Sequence, residues 1–460
     1  MLDTWNRHVV QPLIAARRGS QHLRYLRLLE RSQYESPEAI RACQLELLKG
    51  VLHHAYETVP YYRRTWDEAG VHPNDVTTLE ALQYFPIVTK ADLRKHEAEF
   101  LSTDYADRRT RVKRTSGSTG VPLTIRLDER GAQWKTACTL RSDEWSGWRR
   151  GQRVAKVWGN PEYLHDGWRG RLRNRIVDRA VYLDTIGLTP EKILAFAETL
   201  RQHRPGLIFG HAHSLYLVAA HWKKAGIEAY RPNGIISTAM PLHVWQRSVI
   251  EEVFGTPVTN RYGCEEVSLI ACECEQHQGL HVAAESVYTE VLSQERAEWA
   301  PPGTSRTGPL VVTDLANAAM PLIRYQVGDV VTASDRVCAC GRGLPLLESV
   351  QGREADYVVT PKGEFISGIS LTENFALHIP GTAQIQIVQE SLTELRLRIV
   401  PEAEFPASSR QRIAELVTDL FGPAMRHEIE LVESIPQEPS GKYRFCISKV
   451  ARDPLMAMTA

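Results

Sequence analysis

No run of apolar residues in this chain approaches the ~20 that a membrane-spanning helix needs, and neither sign of charge prevails. Lysine plus arginine and aspartate plus glutamate number 55 each, so the formal net charge is zero. A balanced chain argues against nucleic acid or an acidic membrane surface as the main partner. The stretch Met1 to Ser20 scatters Asn and Arg through its apolar residues, so no signal-peptide core can be drawn there. Internal repeats and low-complexity tracts are missing too. A cytoplasmic protein with no membrane span is the expectation. Cysteine is sparse: Cys43, Cys138, Cys264, Cys272, Cys274, Cys338, Cys340 and Cys446. Two close pairs among them suggest metal or reduced thiols before disulfides in that setting.

What remains is a globular composition, 43% apolar and 24% charged, spread over 460 residues. That length exceeds one ordinary core and points to two or three domains of ~150 residues each. Residues from about 20 to 100 read as helical, with an extended turn at Thr58-Val59-Pro60-Tyr61-Tyr62. His53, His54 and His96 lie in this layer with no partners at ligand spacing, and read as surface or core histidines. Leu123-Thr124-Ile125 alternates like a short strand. From Arg153 to Asn260 short apolar runs alternate with helical periodicity. Ile193, Phe196, Ala197 and Leu200 share a helical face; Gly206 to Gly210 reads as a buried strand; Ser214 caps a helix that stops at Gly226. Gly234-Ile235-Ile236 is a further strand, and Trp245, Val249 and Val253 mark a further helix. This alternation predicts a parallel sheet covered on both faces, with ligands beyond the carboxyl ends of its strands. Past Gly352 the period changes to two at Ile385, Ile387, Leu395, Leu397 and Ile399. A helical stripe at Ile413, Leu416, Val417, Leu420 and Phe421 and a strand from His427 to Leu431 follow, giving a small α+β domain.

Five short stretches carry chemistry. Thr115-Ser116-Gly117-Ser118-Thr119-Gly120 joins two glycines to four hydroxyls, so its backbone can approach an anion and its N–H and O–H groups can point at phosphate oxygens. Arg111, Lys113 and Arg114 precede it. Arg261-Tyr262-Gly263-Cys264-Glu265-Glu266 offers an aromatic ring, a turn glycine and carboxylates able to hold magnesium. Arg324-Tyr325-Gln326-Val327-Gly328-Asp329 puts an aspartate behind a glycine turn, suited to gripping two ribose hydroxyls. Gly352-Arg353 stands where the composition changes, and Pro439-Ser440-Gly441-Lys442 puts one lysine on a tight turn near the C-terminus.

In this order and at these distances, the five stretches resemble the adenylate-forming superfamily, and within it the phenylacetate-CoA ligase-like branch that includes the CapK-type proteins. The likeness runs from about Val51 to Val450. It implies an α/β fold: a large N-terminal adenylation domain with parallel sheets and helices, residues 1–351, and a small mobile α+β lid, residues 352–460. Within the large domain, residues 1–110 would form the helical layer and 111–351 the nucleotide- and acid-binding core.

The implied reaction is ATP-dependent activation of a carboxylic acid as an acyl-adenylate, then transfer to CoA. Thr115, Ser116, Gly117, Ser118, Thr119 and Gly120 would cradle the leaving phosphates. Tyr262 and Gly263 would border adenine, Asp329 and Arg353 the ribose, Glu266 a Mg2+ ion, and Lys442 the reacting carboxylate and α-phosphate. Trp158-Gly159-Asn160 and Phe209-Gly210-His211 are candidate pocket walls for an aromatic or other bulky acid. The sequence departs from the family at Ala355, where an Asp or Lys is usual, and at Leu123, where many acyl-CoA synthetases carry a lysine. An amine acceptor, AMP transfer to a hydroxyl, and an inactive scaffold in polysaccharide assembly are the alternative readings, and a homodimer is compatible with all of them. The cysteine pairs with His281 offer ligands for one tetrahedral zinc; matching the CapK-type pattern selects Cys274, His281, Cys338 and Cys340 and leaves Cys272 spare.

Overall fold

The structure, a computed structural model, describes residues 2–114, 123–158, 167–183, 190–292, 307–334, 336–353, 357–361, 365–367, 371, 379–402, 405–436 and 446–450. The chain separates into two compact units, Met1–Val327 with Val331–Ser349, and Gly328–Val330 with Val350–Ala460. Among the described residues no helix is long and apolar enough to cross a membrane.

In the larger unit a helical layer comes first, with helices His22–Ser32, Pro37–Thr58 and Pro60–Ala69. The extended turn expected at residues 58–62 shrinks to one residue. Val59 alone is extended, and Pro60 opens the next helix at its first position, where a missing N–H costs nothing. Tyr61 and Tyr62 are therefore helical and buried, and the Tyr62 hydroxyl donates to the Pro321 carbonyl at 3.0 Å and accepts from the Ile323 amide at 2.9 Å.

Strands β1 (Arg111–Arg114) and β2 (Thr124–Leu127) pair antiparallel, with Arg114 opposite Thr124. The strands that follow are β3 (Val154–Val157), β4 (Ala180–Leu183), β5 (Leu207–His211), β6 (Gly234–Thr238), β7 (Val258–Cys264), β8 (Ser268–Glu273), β9 (Leu280–Val282), β10 (Val287–Val291), β11 (Thr307–Asp314), β12 (Tyr325–Ser334) and β13 (Leu346–Arg353). They form one eleven-stranded sheet in the order β10-β11-β12-β13-β9-β8-β7-β6-β5-β3-β4.

The expected parallel sheet is half of this. From β7 to β4 the pairs are parallel, whereas β7–β8, β8–β9, β9–β13 and β10–β11 are antiparallel. Helices Pro190–His203, Ala212–Ala225 and Val244–Phe254 cover one face of the parallel half, burying Ile208, Ile235, Val258 and Phe196 around Trp222, whose Nε1 donates to the Ile193 carbonyl at 2.9 Å. Ser214 does not cap its helix. The helix opens at Ala212 directly after β5, with His211 extended at its N-cap, and Gly226 closes it in the left-handed conformation.

The smaller unit holds β14 (Tyr357–Val359), β15 (Phe365–Ser367), β16 (Thr382–Ser391), β17 (Glu394–Pro401), β18 (Arg426–Leu431) and β19 (Cys446–Ser448). Four of these form a sheet in the order β18-β17-β16-β19 under helix Ala407–Phe421. Period two carries it: Leu395, Leu397 and Ile399 are buried with Ile387, Ile413 and Val417, while Arg396 and Arg398 on the wet face pair with Glu428 and Glu430 directly opposite on β18.

Candidate active site and metal centre

The strand order places the site. β4 lies on one side of β3 while β5, β6 and β7 follow on the other, so the chain reverses direction between β3 and β5. Open α/β sheets bind ligands at such a reversal, beyond the carboxyl ends of the strands. Trp158, one residue past β3, and His211, the last residue of β5, flank that reversal. Their ring centroids are 3.8 Å apart, and Phe209 stacks on Trp158 at 5.4 Å. Parallel register explains the contact, since Lys156 pairs with Phe209 and the next same-face positions are Trp158 and His211. Continuing across the sheet, Thr238 pairs with Arg261, whose guanidinium lies over the Phe209 ring at 4.6 Å and pairs with Asp143 at 2.7 Å. Gly210 falls on the opposite face, where an added Cβ would meet Val157, and so is no wall of this aromatic cluster. Gly159 and Asn160 lie outside the described residues.

At the end of β7 the strand bulges between Tyr262 and Gly263. A Cβ on Gly263 would sit 2.3 Å from the Ser268 carbonyl oxygen, so only glycine lets β7 and β8 approach here. The turn that follows carries Glu266 inward. Its carboxylate is buried, with Oε1 2.8 Å from Lys90 Nζ and 3.2 Å from the Tyr325 hydroxyl, which donates to it. Burial raises the pKa of this carboxyl, but the charge and hydrogen bond of Lys90 outweigh it and hold the group below the ordinary glutamate value.

Neither Lys90 nor Tyr325 was given a role by its sequence motif. Lys90 sits 176 positions before Glu266, at the first position of helix Lys90–Lys95, whose capping box Thr89–Asp92 is complete. A cation there opposes the helix dipole, which is the one local signal of an outside partner. The backbone around it is fixed: Val88 bridges Tyr325 in parallel fashion, its N–H donating to the Arg324 carbonyl at 2.9 Å and its carbonyl accepting from the Gln326 N–H at 2.9 Å.

Lys113, at the end of β1, reaches the same turn, 3.0 Å from the Ser268 hydroxyl and 3.8 Å from Glu265. Thr115 to Gly120 themselves lie outside the described residues, and so does Lys442. Gly328 has φ +86°, a conformation that glycine alone adopts freely, and directs the chain into the buried Asp329. Arg353 ends β13 and its side chain is also outside the described set.

Four of the cysteine and histidine side chains converge. The ligand atoms of Cys274, His281, Cys338 and Cys340 all lie within 4.8 Å of one another. Cys274 Sγ and Cys338 Sγ are 3.6 Å apart, and Cys340 Sγ is 3.3 Å from His281 Nε2. A tetrahedral zinc with ordinary bond lengths would put these edges at about 3.8 and 3.6 Å. His281 Nδ1 faces the Leu344 carbonyl at 3.3 Å, which leaves Nε2 for a metal, and Trp145, Leu344 and Leu346 pack around the group. Burial lowers the His281 pKa to about 4, so the imidazole is neutral as a ligand must be. The donors fit zinc in number, kind and spacing. Cys272 is buried but stands apart from the four.

Comparison with known proteins agrees with this architecture. A profile of the CapK C-terminal domain matches residues 358–449. The chain is 28% identical over 444 residues to the phenylacetate-coenzyme A ligase of Thermus thermophilus, covering 88% of this chain and 96% of that protein. It is 22% identical over 384 residues to protein CapK of Staphylococcus aureus, covering 81% of each. Among solved structures, 2-hydroxyisobutyryl-CoA ligase in its postadenylation state superposes with a TM-score of 0.71 at 23% identity, over 93% of each chain, a likeness of fold. In its ordered motifs and its mixed sheet the chain is similar to the adenylate-forming enzymes, and the relatives it matches are phenylacetate-CoA ligases and CapK.

Proposed function

We propose that the protein is an ATP-dependent acid-CoA ligase. A carboxylate oxygen of the acid attacks the α-phosphorus of ATP, the bond to pyrophosphate breaks, and the acyl-adenylate forms. The sulfur of CoA then attacks the acyl carbon, AMP leaves with the electrons of the broken C–O bond, and the thiol proton passes to solvent. The relatives named phenylacetate-coenzyme A ligase support the reaction class. The observation that carries the reading is the buried carboxylate of Glu266, held with Lys90 in the turn after β7 at the carboxyl edge of the parallel strands.

Glu266 is the proposed holder of Mg2+, which when bound neutralises charge on the phosphates. Lys90 keeps that carboxylate ionised and paired before nucleotide arrives. Ser116 to Gly120 cradle the phosphates that leave, Lys113 adds a cation at the base of that loop, and Tyr262 borders adenine. Asp329 and Arg353 hold the ribose. Lys442 bridges the acid and the α-phosphate, stabilising charge that develops as the P–O bond forms. Trp158, Phe209 and His211 offer flat ring surfaces suited to an aromatic or other bulky acid. The four-ligand group is proposed as a structural zinc that ties the segment 274–281 to 338–340.

The test is exchange of labelled pyrophosphate into ATP across aryl and alkyl acids, followed by product masses with CoA or an amine present. Acid-dependent exchange, with a thioester only when CoA is added, is expected. Lys442→Ala should abolish exchange. Unchanged exchange in that variant would refute the assignment, and an amide product would replace the acceptor.

A further inference from the structure

The first helical stretch of the chain is not used by this chemistry. Leu2–Trp5 and Gln11–Arg17 are α-helical and Asn6–Val10 between them is a π-turn segment, so the backbone stays helical from Leu2 to Arg17. Its inner side is fixed by buried Asn6, Val10 and Ala15. The Asn6 amide donates to the Ile176 carbonyl, and Arg179 pairs with Asp3. Asp3 to Asn6 thus runs against Arg179 to Ile176, so the stretch lies antiparallel to the helical segment Gly167–Asp178.

The outer sides of these neighbours are apolar. Leu2, Trp5, Val9 and Leu13, spaced three, four and four residues, are exposed, and so are Trp168, Leu172 and Ile176 at spacings of four; their exposures run from 38% to 68%. The Asn6 bond puts Trp5 level with Ile176, where the two segments touch. Two touching helical segments, each with an exposed apolar stripe and a tryptophan, are unusual on a free protein surface.

Charge identifies the occupant. Although the whole chain is neutral, residues 2–18 and 167–179 together contain eight arginines and two aspartates. Both aspartates are already paired, Asp3 with Arg179 and Asp178 with Arg173. Arg17, Arg18 and Arg175 are exposed beside the stripes. A second copy on this face would bring eight more arginines to it and no aspartate that is not already paired. An apolar, tryptophan-bearing stripe edged by arginine is the chemistry of a helix lying in a lipid interface.

We infer that this two-helix face docks on the surface of an anionic lipid bilayer, the tryptophans entering the headgroup boundary and the arginines meeting lipid phosphates. The neutral total charge of the chain conceals this local excess.

Sedimentation of the intact chain with sucrose-loaded vesicles tests it, using equimolar phosphatidylglycerol and phosphatidylcholine against phosphatidylcholine alone. Binding to the anionic vesicles, weaker binding to the neutral ones and a decline with added salt are expected. Arg175→Gln should weaken the partition by about fivefold, and Trp5→Ser with Trp168→Ser by at least about tenfold. Both variants should keep the parent's acid-dependent exchange rate and melting curve. No sedimentation with anionic vesicles overturns the inference, as does full retention of binding by the double tryptophan variant. A dimer on size-exclusion chromatography that the tryptophan variant dissociates, without vesicle binding, would give the face to a second copy instead.

Discussion

Replacing Lys90 by methionine keeps the aliphatic stem and removes the charge 2.8 Å from Glu266. The carboxylate is then a buried anion with only neutral donors, among them the Tyr325 hydroxyl, the Cys264 thiol and its own backbone amide. Breaking a buried pair this way costs about 3–5 kcal/mol. The Lys90 side chain keeps 30% exposure, so water screens the pair and the lower end, about 3 kcal/mol, applies. Against this, the variant regains about 0.3–1 kcal/mol because a cation no longer opposes the helix dipole.

The pH dependence has a definite sign. In the parent the folded pKa of Glu266 is depressed, so its stabilisation is present above the unfolded value of about 4.3 and is lost as pH falls through the folded value. In the variant burial, the largest influence on this carboxyl, is opposed only by neutral hydrogen bonds and should raise the pKa above the unfolded value. The penalty is then full at high pH and shrinks as protonation removes the buried charge. Parent and variant should therefore differ more at about pH 8 than at about pH 5. All ten tryptophans precede residue 328, so urea titrations followed by tryptophan fluorescence report the larger unit alone. Adding Glu266→Gln to the variant should recover most of the loss. An equal loss at both pH values, or one below about 1 kcal/mol, would refute the reasoning and make this an ordinary surface pair.

Three further outcomes are expected. Elemental analysis of protein purified without added metal should give one zinc per chain, falling well below one in Cys340→Ser; no zinc in the parent would remove the metal centre. Gly263→Ala forces a Cβ to 2.3 Å from the Ser268 carbonyl, so the bulge must open at a cost of about 1–3 kcal/mol in the urea midpoint of the larger unit; a neutral substitution would show that the turn yields freely. Ile387→Ala, in the fully buried core of the smaller unit, should cost about 2–5 kcal/mol there, read as faster proteolysis after Val350. The tryptophan transition should stay in place, and its movement would show that the two units unfold together.

Much of the fold is written in local pattern. Helix Pro190–His203 follows from the face of Ile193, Phe196, Ala197 and Leu200, the stop at Gly226 from glycine's left-handed conformation, and β16 to β18 from period two. Where burial is two-sided, the pattern disappears. β8 and β10 have almost every residue buried, so no alternation announced the antiparallel half of the sheet. Ser214 misled because N-cap chemistry is local, whereas this helix begins where β5 releases the chain.

By itself, then, the sequence determined which chemistry is available: five ordered motifs, a reserve of cysteines and a histidine, and two units of different period. Tertiary structure alone decided which of these groups meet. Lys90 and Tyr325 reach Glu266 from 176 and 59 positions away, and Trp158 touches His211 only because β3 and β5 lie parallel and in register. Pairings of that range depend on strand order and on a shared dry interior, and a linear pattern of neighbours carries neither.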